Sequence, residues 1–311
     1  MPPIERSCEP RREPDLDLVF ASATTRRAAL AAMARAFAAA GIDAPERDAR
    51  AIAAGILECN AVQFIAEPDV PIGTCAAALA AAVNRRTARE PVSRILGRRG
   101  FFGRDFIITP ATLDPRPDSE CLIETALAVL AERQACDGAL QLLDIGTGSG
   151  CLLVTLLAEL PRARGVGVDI AADAIVCARI NAAALGVGGR ADFIVGDGLV
   201  AVAGGPFDLV LANPPYVRTG DIDGLQPEVR IWDPLAALDG GGDGLAFYRQ
   251  WCIGLNRLVP DGWVIFEVGH DQADDVRDIL RNAMRPSQVA DMRIISDMGG
   301  VRRCVAVRTQ V

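Results

Sequence analysis

In the stretch LLDIGTGSG at residues 142–150, a short and largely apolar run is followed directly by three glycines at alternate positions. Glycine allows a sharp turn and lets the backbone approach a ligand closely. The pattern predicts a buried strand over residues 140–145 that leads through a glycine loop into a helix over about residues 150–159. The dinucleotide-binding pattern GxGxxG/A does not fit, because the third glycine comes one residue early and Cys151 stands in its place.

Strands and helices alternate strictly along the chain beyond this loop. Further strands are predicted over residues 164–169, 191–196, 207–212, 262–268, 290–295 and 303–308, and further helices over about 171–185, 243–258 and 271–284. Such alternation predicts an α/β fold whose doubly wound sheet is covered by helices on both faces. The last two strands are separated by Gly299-Gly300 and no helix, so we expect an antiparallel C-terminal hairpin at one edge.

Residues 20–90 are predicted to form a small α-helical domain. Its helices run from Arg26 to about residue 40, from Pro45 to about residue 58, and over roughly residues 74–89. Two interpretations stay open: a packing cap for the larger domain, or a docking surface for a macromolecular substrate. Residues 1–19 contain no apolar segment, so we expect a disordered tail and no secretory signal.

Residues 91–118 are interpreted as a hairpin and linker, which precede the main domain at residues 119–311. The sequence FFGRDFII at residues 101–108 predicts a short hairpin that turns at Gly103-Arg104. Arg116 stands between two prolines, which hold it in an extended loop. It either clamps a carboxylate between the two domains or lines the entrance to a site.

Composition limits the classes of function. All 32 basic residues are arginine, so a Schiff-base lysine and a P-loop lysine are both excluded. The net charge of −8 disfavours non-specific binding to nucleic acid. Nine scattered cysteines and a single histidine argue against a metal site and for a reducing, cytoplasmic location. No apolar run reaches the ~18 residues that a membrane span needs, so no membrane association is expected.

Three carboxylates stand at predicted strand ends around one crevice. Asp144 would repel a diphosphate and favour a cation. Asp169 could accept both hydroxyls of a ribose, which would suit NAD equally well, and its alternative role is a helix N-cap. Asp197 could accept from an adenine amino group. A sulfonium cofactor with an α-amino group, S-adenosyl-L-methionine, fits these carboxylates and the glycine spacing together. The predicted cofactor-binding residues are Asp144, Gly146, Thr147, Gly148, Ser149, Gly150, Asp169, Asp197, Gly198 and Asn213.

The tetrapeptide Asn213-Pro214-Pro215-Tyr216 follows the strand predicted at 207–212. Because neither proline has an N–H, nearby carbonyls are left as outward acceptors. The Asn213 side-chain carbonyl, the Pro214 backbone carbonyl and the Tyr216 ring would together hold a planar NH2 group. We therefore predict Asn213, Pro214 and Tyr216 as catalytic, and all four residues as substrate-binding; a plain Pro-rich turn, with a structural tyrosine, is the alternative.

Two other polar residues near the predicted strand ends are given lesser roles. His270 follows Glu267-Val268-Gly269 and is interpreted as a surface or capping residue. Glu267 is assigned a supporting role at the end of its strand.

The motifs occur together and in order: the Phe-Phe-Gly hairpin, PRPDSE at 115–120, DIGTGSG at 144–150, NPPY at 213–216 and PLAALDGGGDGLAFY at 234–248. In this combination the chain resembles class I, Rossmann-like methyltransferases. It is more closely similar to the release-factor glutamine N5-methyltransferase family, the HemK/PrmC type. The resemblance is strong over about residues 89–308 and weak in the helical domain.

This resemblance implies an enzyme that uses S-adenosyl-L-methionine to methylate the side-chain amide nitrogen of a glutamine. The implied partners are peptide chain release factors, which carry that glutamine in a Gly-Gly-Gln loop, and no stable nucleic acid binding is expected. One alternative is an amino-group methyltransferase that acts on another protein, such as a ribosomal protein, or on a DNA or RNA base. The other is a non-enzymatic binding module.

Overall fold

The computed structural model describes residues 19–132 and 139–310, so nearly all of the tail predicted at residues 1–19 lies outside the described residues. The chain divides into two compact units, Met1–Leu96 and Gly97–Val311. In the described ranges no helix is both long enough and apolar enough to cross a membrane.

The first unit is a small helical bundle. Its helices are α1 (Arg26–Ala39), α2 (Pro45–Leu57), α3 (Ala61–Ala66), α4 (Ala76–Thr87) and α5 (Val92–Leu96). Thr25 caps α1 by accepting from the Ala28 N–H, and Pro45 begins α2 where its missing N–H costs nothing. The core is formed by apolar side chains at helical spacing, among them Met33, Phe37, Ile52, Leu79 and Val83.

Two short helices of this unit were not predicted. Helix α3 has six residues, and its capping box between Asn60 and Gln63 was the signal that could have located it. Helix α5 has only five residues, too few for a periodic apolar pattern.

The second unit begins with a hairpin of β1 (Arg98–Phe101) and β2 (Arg104–Ile107). Phe101 pairs with Arg104, so the turn is Phe102-Gly103, and the prediction of Gly103-Arg104 was wrong by one residue. Both turn residues have positive φ, 48° and 71°, as a two-residue type I′ turn requires. The Glu120 carboxylate accepts from the Phe102 N–H at 2.8 Å and helps to hold this unusual conformation.

A seven-stranded sheet forms the centre of the second unit. After the hairpin the elements run α6 (Glu120–Glu132), β3 (Gln141–Ile145), α7 (Cys151–Glu159), β4 (Arg164–Asp169), α8 (Ala172–Ala184), β5 (Ala191–Val195), β6 (Leu209–Ala212), α9 (Pro227–Arg230), α10 (Ala246–Trp251), α11 (Leu255–Leu258), β7 (Trp263–Glu267), α12 (Ala273–Ala283), β8 (Val289–Ser296) and β9 (Arg302–Thr309). All seven strands of the sheet were predicted.

The strand order is β5-β4-β3-β6-β7-β9-β8. Strands β3 to β7 are parallel, whereas β9 is antiparallel to both β7 and β8. Helices α6, α7 and α8 contribute to one apolar core, and α10, α11 and α12 contribute to the other. The predicted doubly wound α/β fold, with an antiparallel hairpin at one edge, is confirmed.

The single helix predicted over residues 243–258 is wrong. Gly244 and Gly254 both adopt positive φ, 76° and 87°, which an α-helix cannot continue through. The segment therefore forms two short helices, α10 and α11, joined by a turn.

Candidate active site

The sheet order reverses between β3 and β6, which are neighbours although they are far apart in sequence. Open α/β sheets bind their ligands at such a switch point, beyond the carboxyl ends of the strands. Ile145, the last residue of β3, is in register with Ala212, the last residue of β6. The glycine loop and Asn213 therefore leave the sheet side by side.

The glycine loop uses the backbone freedom that the sequence indicated. Gly146, Gly148 and Gly150 have φ angles of 72°, 55° and 79°, which side-chain-bearing residues rarely adopt. A Cβ on Gly150 would lie 3.1 Å from the Cβ of Ala178 in α8. The loop thus lies close against its surroundings; within it Gly146 is exposed and Gly148 is half-buried.

Two buried side chains fix the shape of this loop. The Thr147 hydroxyl donates to Asp144 Oδ2 at 2.7 Å. The backbone carbonyl of Ser149 accepts from Asn181 Nδ2 at 2.9 Å. Both loop residues are buried, and these two hydrogen bonds hold the loop backbone in place.

Asp144 is completely buried, and its Oδ1 atom has no hydrogen-bond partner within residues 19–132 and 139–310. Burial raises the pKa of its carboxyl to about 7, while the hydrogen bond from Thr147 works in the opposite direction. A buried acceptor without a partner is costly, so this atom indicates a site for a donor or a cation.

Asp169 is held by two backbone N–H groups. Gly148 donates to Oδ2 at 2.8 Å, and Ala171 donates to Oδ1 at 2.9 Å. The residue that precedes α8 is Ala171, so Asp169 is not the N-cap residue itself, although it accepts an N–H at that helix start. Each carboxylate oxygen keeps further acceptor capacity for a ligand.

Asp197 lies two residues beyond the end of β5 and is exposed. Gln250 Nε2, on α10, lies 3.3 and 3.4 Å from its two oxygens. Gly198 follows with a φ of 50°, and it is buried. This contact brings α10 to the same strand ends as the glycine loop.

Trp251, which the sequence analysis did not identify, is the largest side chain at these strand ends. A Cβ on Gly198 would lie 2.5 Å from Trp251 Nε1, and one on Gly146 would lie 3.3 Å from the far edge of the ring. The side chain is 5% exposed, and its Nε1 has no partner in the described parts of the chain. No linear motif marks this residue, because its position depends on how α10 packs.

The Asn213 amide is oriented by a neighbour from outside its motif. Asn213 Nδ2 donates to Ser119 Oγ at 3.0 Å. Its Oδ1 and the Pro214 carbonyl accept no hydrogen bond from residues 19–132 or 139–310. Two acceptors are therefore without a partner in the described residues at the switch point. Ser119 was missed by the sequence analysis, and only its place before α6 could have suggested it.

Tyr216 is held through its backbone and is half-buried. Gln272 Nε2 donates to the Tyr216 carbonyl at 3.0 Å, and Gln272 Oε1 accepts from the Gly269 N–H at 3.0 Å. Burial raises the pKa of the Tyr216 hydroxyl above its ordinary value. The hydroxyl lies 3.5 Å from Glu267 Oε1. Tyr216 is thus a neutral, fixed ring beside Asn213-Pro214.

Glu267 lies closer to this site than the sequence indicated. Ala212 is in register with Phe266, so Glu267 leaves β7 beside Asn213. Its side chain is 1% exposed, and Oε2 has no partner in the described residues. Burial raises the pKa of the Glu267 carboxyl to about 7, and the positive charge of Arg303 works in the opposite direction.

The remaining candidates lie apart from these atoms. The His270 side chain is 78% exposed, as expected for a surface residue. Arg116 pairs with buried Asp233 and lies 3.9 Å from Asp114 Oδ2. All three belong to the Gly97–Val311 unit, so this carboxylate clamp is internal to that unit.

The parallel sheet with an antiparallel last pair, the glycine loop after the first strand and the acid that ends the second together define a class I methyltransferase. Family comparison extends this assignment to both units: the PrmC N-terminal domain matches residues 28–97, and the methyltransferase small domain matches residues 119–242. The chain belongs to the release factor glutamine methyltransferase family, and the resemblance inferred from the motifs is confirmed.

Two relatives illustrate the match. A release factor glutamine methyltransferase of Rhodospirillum rubrum is 46% identical over 271 residues, which cover 86% of this chain and 80% of the relative. One of Agrobacterium fabrum is 40% identical over 286 residues, covering 91% and 97%. Among solved structures, the hMettl16 catalytic domain in complex with a MAT2A 3'UTR hairpin aligns with a TM-score of 0.53 over 74% of this chain and 81% of that one. At 15% identity, it shows the fold alone.

Proposed function

We propose that this chain transfers a methyl group from S-adenosyl-L-methionine to the side-chain amide nitrogen of a glutamine in the Gly-Gly-Gln loop of peptide chain release factors. The observation that carries the proposal is the orientation of the Asn213 amide. With Nδ2 bonded to Ser119, Asn213 offers Oδ1 beside the free Pro214 carbonyl. Two acceptors match the two hydrogens of a primary amide.

The residues at the strand ends fit the cofactor. The unpartnered Asp144 Oδ1 supplies a buried acceptor, which suits a positively charged group. The positive-φ glycines Gly146, Gly148 and Gly150 let the backbone approach it. Asp169, fixed by two N–H groups, is suited to the ribose hydroxyls.

Asp197 and Gly198 complete this cofactor site, and Asn213 borders it from β6. We add Trp251 as a supporting residue, whose buried ring packs against Gly146 and Gly198 and holds these two glycines in place. S-adenosylmethionine would supply an electrophilic methyl group on a sulfonium sulfur.

The substrate's amide nitrogen is a poor nucleophile, and the protein must promote its attack on the methyl group. The lone pair of an amide nitrogen is delocalised into the carbonyl. Asn213 Oδ1 and the Pro214 carbonyl accept both N–H hydrogens, which fixes the nitrogen in place and increases its electron density. Positive charge develops on that nitrogen during attack, and these acceptors stabilise it more strongly than they stabilise the neutral amide.

No side-chain base needs to act before attack: the new C–N bond would form as the bond between the methyl group and sulfur breaks, and the methylated nitrogen would then lose its extra proton to solvent water. Each acceptor of this kind, oriented toward charge that develops in the transition state, lowers the activation barrier by about 3–4 kcal/mol. Tyr216 is uncharged, and its backbone is anchored by Gln272. Its ring can therefore pack against the amide plane and hold the alignment that in-line transfer needs.

Release factors are the substrate that the relatives' names indicate. A glutamine between small residues can enter a narrow substrate site. A glutamine on a helix could not, because the neighbouring side chains would clash with the protein. A short loop offers little contact area, so we propose that the first unit binds another part of the release factor. Helix α3 contributes no buried residue and exposes Val62 and Ile65 by 70% and 82%.

The test is methyl transfer from labelled S-adenosylmethionine to purified release factor, followed by mass spectrometry of the Gly-Gly-Gln peptide. One added methyl group on that glutamine is expected. As a control, release factor with this glutamine replaced by alanine should receive no label. Label on another residue, or in DNA or RNA offered in parallel, would refute the proposed substrate.

A further inference from the structure

A long loop begins directly after the NPPY stretch and returns to the same place. Val217 donates its N–H to the Leu238 carbonyl at 2.9 Å, and the Val217 carbonyl accepts from the Gly240 N–H at 2.8 Å. Residues 218–238 therefore leave and rejoin the second unit beside Tyr216. We call this segment the 218–238 loop.

An ion pair fixes the part of the loop that lies furthest along the chain from α9. Asp233 pairs with Arg116, and Asp233 Oδ1 accepts from the Asp114 N–H at 3.4 Å. Asp233 is buried, so loss of Arg116 would leave an uncompensated charge inside the protein. The ion pair thus ties the loop to the segment that carries Ser119, the hydrogen-bond partner of Asn213.

Two large apolar side chains stand on either side of this anchor. Ile231 and Leu235 are 44% and 50% exposed, although Asp233 between them is buried. Neither of the two belongs to an apolar core of the second unit. A single exposed apolar residue is ordinary, whereas an exposed pair on an anchored loop beside a substrate site is typical of a contact surface.

The position of the loop indicates what contacts this pair. The loop is anchored at Val217 and, through Asp233, to the segment that precedes Ser119. A glutamine in a protein can reach Asn213 only when the polypeptide on either side of it passes over the residues that border this asparagine. The 218–238 loop is therefore continuous with the surface that a protein substrate has to contact.

We propose that Ile231 and Leu235 form a docking surface for apolar side chains of the release factor next to its Gly-Gly-Gln loop. This inference rests on the proposed function, because it names a further contact for the same substrate. Removal of both side chains from water contributes to affinity for the release factor. It leaves the alignment of the glutamine with the methyl group unchanged, because neither side chain belongs to the acceptor site.

The experiment measures the steady-state kinetics of release-factor methylation by the full chain. Ile231→Asp and Leu235→Asp each place a charge where an apolar contact forms, so KM for release factor should rise roughly tenfold. At saturating release factor kcat should stay within about twofold of wild type, because the lost interaction is the same in the ground state and the transition state. Ile231→Ala and Leu235→Ala, which introduce no charge, should raise KM in the same direction by about threefold or more.

Three controls separate docking from other effects. Leu235→Met keeps the apolar volume and should keep the wild-type KM. Val176→Asp changes an apolar residue of α8 that is 53% exposed, and it should also have the wild-type KM. Cofactor Kd and Tm, measured for every variant, should match wild type and show that each protein is folded.

Three results would overturn the inference. One is a wild-type KM in all four variants at Ile231 and Leu235. Another is a loss of kcat with an unchanged KM, which would show that the loop supports the acceptor site instead of docking. The third is an equal rise in KM for Val176→Asp, since any added charge would then have the same effect.

Each of these results leaves the proposed function intact, provided that wild type still methylates the release-factor glutamine. Failure of wild type to methylate that glutamine, with label appearing on a different acceptor, contradicts the proposed function and this inference together.

Discussion

Binding of S-adenosylmethionine should remove a proton from Asp144. The free carboxyl is completely buried, and burial raises its pKa to about 7 from the ordinary 3.8. Near neutral pH the free protein is therefore a mixture of protonated and ionised forms. A cation that binds beside the unpartnered Oδ1 atom selects the ionised form.

Two free energies of similar size oppose each other: the cost of ionising the buried Asp144 carboxyl, and the attraction between its carboxylate and a bound cation. A shift from 3.8 to about 7 corresponds to about 4 kcal/mol against the charged form, at ~1.4 kcal/mol per pKa unit. A single positive charge ~4 Å away in an effective dielectric of ~20 contributes about 4 kcal/mol in its favour. Cofactor binding should thus return the pKa of Asp144 to near its ordinary range.

The sign of the pH dependence follows directly. Because binding requires the ionised carboxyl, cofactor affinity should rise about tenfold per pH unit up to about pH 7 and level off above it. Titration calorimetry at about pH 6, in buffers of different ionisation enthalpy, should detect release of close to one proton per cofactor bound. The same titration with S-adenosylhomocysteine, which keeps the ammonium group but lacks the sulfonium charge, shows which of the two charges causes the proton release from Asp144.

The Asp144→Asn variant should bind the cofactor with no proton release and no pH dependence over this range. Glu267→Gln is the matched control, since Glu267 is the other buried carboxyl with a pKa of about 7. It should retain the proton release. Proton release that persists in Asp144→Asn and disappears in Glu267→Gln would show that the reasoning about Asp144 is mistaken.

Three further substitutions test other parts of the chain. Asn213→Ala should lower kcat by about two orders of magnitude with little change in cofactor Kd, because it removes one aligned acceptor. Gly198→Ala places a Cβ 2.5 Å from Trp251 Nε1 at a φ of 50°, so cofactor Kd should rise about tenfold and the free energy of unfolding should fall by about 1–2 kcal/mol. Ile65→Asp, at an 82% exposed position, should raise KM for release factor several-fold while kcat and Tm stay unchanged.

Each of these substitutions has a matched control in the chain. Asn256→Ala removes an asparagine from α11, and Gly189→Ala adds a Cβ that meets nothing within 4 Å. Met298→Asp changes an apolar residue that is 98% exposed in the second unit. A test variant that behaves like its control, with unaltered kcat, Kd or KM respectively, would contradict the role assigned to that residue.

Local physical constraints account for what the sequence could predict. The spacing of apolar residues along the chain indicates alternating strands and helices. This alternation predicted the seven strands and the doubly wound fold. Glycines at 146, 148 and 150 indicated a turn because side-chain-bearing residues disfavour positive φ. The prolines of the NPPY stretch indicated free acceptors because proline has no N–H.

Packing decided the rest, because contacts between distant segments leave no local pattern. The partner of Asn213 is Ser119, which lies 94 positions away in sequence. Glu267 is buried beside Asn213 only because β6 and β7 are neighbours in register. Trp251 reaches the glycine loop because α10 packs at the strand ends, and no local sequence pattern records that packing. The sequence thus determined which polar groups the chain has near the strand ends. The tertiary structure determined which of their atoms are left without a hydrogen-bond partner, because those partners come from distant segments.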